Sequence, residues 1–172
     1  VEYFPVSAGS WWTYETSFPS SLVEPINVHD TVYVAGIESN VARLRGPGSY
    51  EAEYRITGDV VTQIIALDGT SDSSAHVIRT PLSVGTQWQS YHNAHEIVAV
   101  DSTVDTPAGI FQDVVVVETH TCAGRALILC KTSYSIHTYY AKNVGLIKTT
   151  TRTGGSDIHP PQITRQLVSY SQ

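Results

Sequence analysis

The sequence predicts an all-β, antiparallel fold, and three observations carry that prediction. The chain of 172 residues holds 20 Val, 19 Thr and 10 Tyr, residue types that suit a pleated, half-buried surface. Apolar and polar residues alternate with period two along most of its length. Clusters of Gly, Pro and Asp cut the alternating stretches into strand-sized pieces. No window of about a dozen residues carries a helical stripe. About ten to twelve strands are expected, with at most one short helical turn.

In chain order the strand-like segments begin with VHDTVYVAGI (28–37) and SYEAEYRIT (49–57). In the second, Tyr50, Ala52, Tyr54 and Ile56 share one face, while Glu51, Glu53 and Arg55 share the other. A carboxylate pair such as Glu51 and Glu53 on that polar face reads as solvated surface rather than as acid–base machinery. DVVTQIIAL (59–67) follows, then AHEIVAVDSTV (94–104), IFQDVVVVETH (110–120), KTSYSIHTYY (131–140), GLIKTTTRT (145–153) and QITRQLVSY (162–170). Turns are expected at Gly46-Pro47-Gly48, Gly58-Asp59, Asp68-Gly69, Pro107-Ala108-Gly109, Gly154-Gly155 and Pro160-Pro161. Within 110–120, Val114 to Val117 are four consecutive apolar residues. Such a strand is covered on both faces, so the sheet should curve over itself as a half-barrel, barrel or sandwich.

An internal echo runs through the chain. Pro5-Val6-Ser7-Ala8-Gly9-Ser10 recurs as Pro81-Leu82-Ser83-Val84-Gly85-Thr86, and Trp12 recurs as Trp88, each pair 76 residues apart. The shared content is a turn ending in Gly that feeds a strand led by Trp. One domain is expected, built from two pseudo-repeats near 1–76 and 77–172.

Charge and composition exclude several function classes. The net charge is -6, and the ten Lys and Arg are scattered singly, so no basic stripe exists to track phosphates and no nucleic-acid partner is expected. No apolar run approaches the roughly 18 residues of a spanning helix. Methionine is absent, even at position 1. Loss of a secretory signal peptide is one ordinary cause, and trimming is the plainer one; a lipid anchor upstream of Val1 is compatible with either.

The only two cysteines, Cys122 and Cys130, have seven residues between them. That gap does not suit a C-x-x-C redox site, and two thiols do not make a four-ligand zinc site. Strand-like segments flank them, so they read as a staple near the tip of a β-hairpin. Closing a loop of about nine residues is worth roughly 2.5 kcal/mol, and the bond would place the protein in an oxidising compartment. Two buried free thiols in a reducing compartment are the alternative.

Catalytic signals are sparse. There is no G-x-S-x-G elbow, no Gly-rich phosphate loop leading into a helix, and no cofactor is expected. His92, His95, His120 and His137 are candidate metal ligands; His92 and His95, three apart, do not share a strand face, whereas His120 and His137 lie on the strands flanking the hairpin. Among aromatics, Trp11 and Trp12 are adjacent, as are Tyr139 and Tyr140, so one of each pair faces the core and one faces out. With Trp88 they are the candidate ligand-contacting residues.

Tyr3-Phe4-Pro5 with Gly9, Trp12, Tyr14 and Glu15, then Pro81-Leu82 to Gly85-Thr86-Gln87-Trp88, Thr106-Pro107-Ala108-Gly109-Ile110-Phe111, and Tyr139-Tyr140-Ala141-Lys142-Asn143-Val144-Gly145-Leu146-Ile147-Lys148 form a set. This set resembles a widespread group of secreted or lipid-anchored prokaryotic domains of unassigned function. The resemblance implies an extracytoplasmic, curved antiparallel sheet, loosely similar to lipoprotein-carrier and lipocalin-like folds. It carries over no catalytic residue, and the cysteine hairpin departs from it. Thr106-Pro107-Ala108-Gly109 reads physically as a type I turn, with Pro second and Gly fourth.

The first expectation for function is a non-enzymatic extracytoplasmic domain that binds an apolar or amphipathic ligand in the concavity of its sheet. The second is a structural or adhesive subunit that assembles with copies of itself by strand addition. Its edges would lie in the strand-like termini, with Val1 and Tyr3 in one and Leu167 and Tyr170 in the other. The third is a hydrolase with a dispersed site.

Overall fold

The computed structural model describes residues 2–19, 24–48, 50–58, 60–67, 71–90, 93–122, 133–153 and 162–172. The expected turns at Asp68-Gly69, Gly154-Gly155 and Pro160-Pro161 lie outside the described residues, as do Val1, His92 and Cys130. Among the described residues the chain forms twelve strands and no helix. They are β1 (Trp11–Phe18), β2 (Ile26–Glu38), β3 (Val41–Arg45), β4 (Glu51–Thr57), β5 (Val60–Leu67), β6 (Ser71–Ile78), β7 (Gln87–Ser90), β8 (Asn93–Thr106), β9 (Gly109–Cys122), β10 (Ser133–Ala141), β11 (Gly145–Thr153) and β12 (Ile163–Ser171).

All twelve belong to one antiparallel sheet in the order β6-β5-β4-β3-β2-β1-β12-β11-β10-β9-β8-β7. Each strand pairs with its neighbour in sequence, except at β6 and β7. This is the order of an up-and-down ring of twelve, closed between β12 and β1 and cut between β6 and β7. The sheet curves until its two edges approach. Val61 and Ile78, from β5 and β6, share a buried cluster with Trp88, Ile97, Val115 and Val117, from β7, β8 and β9. The edges are therefore joined by side chains, and the sheet is an open half-barrel rather than a closed barrel or a sandwich.

Val114 to Val117 are buried on both faces, as their run requires. Val115 and Val117 join the cluster with Trp88, whereas Val114 and Val116 join one with Ala141, Val144, Ile147 and Leu167. The long β8–β9 hairpin supplies part of the second cover. It bends through irregular register, with positive φ at Asp101 and Asp113. Its tip reaches β12, where the Ala108 N–H donates to the Leu167 carbonyl at 3.1 Å, and Val98, Val104, Ala108 and Phe111 pack on the cluster. Burying each valine is worth about 1.5–3 kcal/mol.

The corners of the echo share one geometry. Ser10 N–H donates to Ser7 O at 3.0 Å, and Thr86 N–H donates to Ser83 O at 3.0 Å. Gly9 and Gly85 have φ of 88° and 87°. Ser10 O then accepts from Val34 N–H and Thr86 O from Ile97 N–H, each at 2.9 Å, so both corners dock on the next strand. Two residues on, Trp12 and Trp88 are buried. Each corner leads a six-stranded meander, β1–β6 and β7–β12.

The expectation of strand-like edges at the termini is corrected. β12 lies inside the sheet, paired with β1 and with β11, and Leu167 is fully buried. Tyr170 sits opposite Trp12. Tyr3 and Phe4 are buried in the concavity, where the Phe4 ring lies 4.8 Å from that of Tyr54 and Glu2 O accepts from Asn143 N–H at 2.6 Å. Backbone groups already paired within the chain cannot pair with a neighbour; the sheet's edges are β6 and β7.

Candidate functional site

The strands give the half-barrel two ends. At one lie the N-terminal segment, the corner at 81–86, the turn at 106–109 and the turn at 142–145. All the resemblance motifs meet here. Trp12 Nε1 donates to Val144 O at 2.8 Å, and Tyr14 Oη donates to Leu146 O at 2.9 Å. This end is plugged. Between Phe4, Val6, Trp12, Tyr14, Leu44 and Tyr54 only a crevice of about 60 Å³ remains, well below the several hundred Å³ of ordinary ligand sites. Burial pushes the phenols of Tyr14, Tyr54 and Tyr140 above their ordinary range.

The opposite end is different. The concave face continues by alternation from Tyr14 to Thr16 and Phe18 on β1, and from Val32 to Asp30, Val28 and Ile26 on β2. On β12, Arg165 sits opposite Thr16, and Ile163 shares its parity. Here the apolar side chains are partly exposed: Phe18 is 40% exposed, Ile26 60%, Val28 47% and Ile163 37%. Thr149 and Thr151, opposite Arg165 and Ile163 on β11, line the same wall. Between this apolar mouth and the plugged end lies one charged pair. The Arg165 guanidinium donates through Nη2 to Asp30 Oδ2 and lies over the Tyr14 ring, 4.0 Å from its centre.

The sequence-predicted residues are dispersed, except that Trp88, His95 and His120 border one open cleft of about 380 Å³ at β7. Trp12, Trp88 and Tyr140 face the concavity and are buried, while Trp11 and Tyr139 are half-buried on the convex face. Only Trp12 touches the crevice. His95 is concave: its ring stacks on Trp88 at 5.3 Å and hydrogen-bonds Ser90 and Thr119 at 2.7 and 2.9 Å. His120 and His137 lie on the convex face around Glu118. His120 Nε2 is 3.5 Å from one carboxylate oxygen, and His137 Nε2 is 3.7 Å from the other. Ser135 Oγ donates to Glu118 at 2.7 Å. That hydrogen bond, with the two imidazoles, lowers the Glu118 pKa against the opposing effect of burial. His95 and the His120–His137 pair thus stand on opposite faces. Among the described residues no group of three His, Cys, Asp or Glu is placed to hold a metal. The Cys122 backbone pairs with Ser133; the expected pairing with Cys130 falls on a residue outside the described ones.

Phe18, Ile26, Val28, Ile163 and the Asp30–Arg165 pair escaped the sequence reading. A signal existed: Asp30 and Arg165 are single charges of opposite sign, each set at even spacing within an apolar stripe.

No family model matches the chain, and no curated protein matches it. Solved structures do match, over 98% of this chain and 98% of theirs. One is a Bacteroides fragilis protein described as exported and of YmcC-like fold, at 13% identity and a TM-score of 0.61. Another is a Parabacteroides distasonis protein described as a lipoprotein, at 11% identity and a TM-score of 0.56. Identities this low speak to architecture alone: the open twelve-stranded half-barrel of this chain is similar to the YmcC-like fold.

Proposed function

We propose that this chain is an extracytoplasmic, non-enzymatic β-domain that holds an apolar or amphipathic ligand at the open end of its concave face. The observation that carries the reading is the partly exposed cluster of Phe18, Ile26, Val28 and Ile163 on the inner wall of the curved sheet. An inner wall is where a half-barrel buries apolar groups, and exposed apolar side chains grouped there favour a partner that covers them. The descriptions of its structural neighbours, one as an exported protein and one as a lipoprotein, support the address.

The test is titration with Nile red, a neutral apolar dye. Saturable fluorescence enhancement is expected in the native protein. Val28→Asp should abolish it while leaving thermal stability close to the native value, because Val28 is 47% exposed and surface substitutions typically shift stability by about 0.5 kcal/mol or less. A native protein that shows no saturable enhancement rejects the proposal.

A further inference from the structure

We infer that the ligand of the open end carries an anionic head group of the carboxylate class, and that Arg165 receives it. This rests on the ligand reading above and adds the chemistry of the head. Arg165 stands on β12 between buried Leu167 and exposed Ile163, at the inner limit of the apolar mouth. Its side chain is 28% exposed and that of Asp30 is 19% exposed. A guanidinium carries five N–H donors in a planar fork suited to two-point capture of a carboxylate. Among the described residues Asp30 is the sole hydrogen-bond acceptor, through Nη2, so Nε and Nη1 are unspent toward protein groups.

The apolar surface begins beside this charge. From Asp30 to Ile26 is four residue steps of β2, about 14 Å at the rise of an extended strand. Val28 and Ile26 lie along it, with Phe18 and Ile163 on the neighbouring strands. A head group at Arg165 and an alkyl chain along that stripe would cover both features at once. Because Asp30 already offsets the guanidinium, a singly charged carboxylate suits the position better than a doubly charged phosphate. A purely structural pair, bracing β2 to β12 across β1, would not discriminate between heads on the same chain.

The experiment compares displacement of Nile red by dodecanoate and by dodecanol. Dodecanoate is expected to displace the dye at about tenfold lower concentration, the low end for a charge-assisted hydrogen bond in a partly exposed site. Arg165→Met should bring the two compounds to parity. Asp30→Asn should widen the preference, since it frees the guanidinium; a variant that merely weakened the fold would not do so. Equal potency of the two compounds on the native protein, or a preference that neither substitution moves, overturns the inference and leaves the ligand reading standing. Failure of both compounds to displace the dye overturns both.

Discussion

Trp12 Nε1 donates a 2.8 Å hydrogen bond to the carbonyl of Val144, 132 residues away. The bond ties β1 to the turn between β10 and β11 and closes the plugged end. Gln172 Nε2 donates to the same carbonyl at 3.0 Å, so the acceptor keeps a partner if the indole is removed. Trp12→Phe is therefore expected to cost only about 1–2 kcal/mol, chiefly a hydrogen bond and some volume. Trp12→Ala, which opens a cavity, should cost about 3–5 kcal/mol. Urea unfolding measures both; equal costs would show that packing is not what the indole contributes.

The matched corners predict matched costs. Gly9 and Gly85 hold φ near +88°, and a Cβ on either would meet open space. The cost of Gly→Ala is thus conformational, about 1–2 kcal/mol. Gly9→Ala and Gly85→Ala should lower stability equally in parallel denaturation curves. A large inequality would mean that the two corners are not energetically equivalent.

Glu118 predicts a pH dependence. Its folded pKa lies below the ordinary value of 4.5, first through the Ser135 hydrogen bond and then through His120 and His137. The folded state therefore binds fewer protons than the unfolded state just below pH 4.5. Its stabilising contribution is present above that pH and is lost as pH falls through the folded pKa. Glu118→Gln should remove this part of the acid dependence, so that native and variant curves converge at the acid end. Curves that stay parallel from pH 6 to pH 3 would contradict the assignment.

The expected Cys122–Cys130 bond is settled by mass. Native protein treated with iodoacetamide under denaturing conditions should take up no label without reductant and two after reduction. Uptake in the unreduced sample would remove the staple, and with it the argument from cysteine chemistry for an oxidising compartment.

The sequence shows the strand content, the two-faced burial of β9 and the matched corners, because each depends on neighbours within a few residues. Period-two alternation sets which side chains share a face, and Gly9 and Gly85 mark the turns by their backbone freedom. The inward and outward division of Trp11 with Trp12 and of Tyr139 with Tyr140 follows from the same alternation. The approach of His120 and His137 was legible too, because one hairpin carries both; the carboxylate between them was missed.

By itself, then, the sequence determined the class of fold, the rhythm of its strands and the residues that face the same way. The tertiary structure alone decided that β12 pairs with β1, that Tyr3 and Phe4 plug one end, and that the edges fall at β6 and β7. It also decided that Asp30 on β2 meets Arg165 on β12 across β1. The β1–β12 pairing and the Asp30–Arg165 contact join residues more than a hundred positions apart, and the Phe4–Tyr54 contact joins residues 50 apart. Alternation sorts such residues by face but carries no information about which strand lies beside which; that choice is made by the curvature of the whole sheet and by what can be buried inside it.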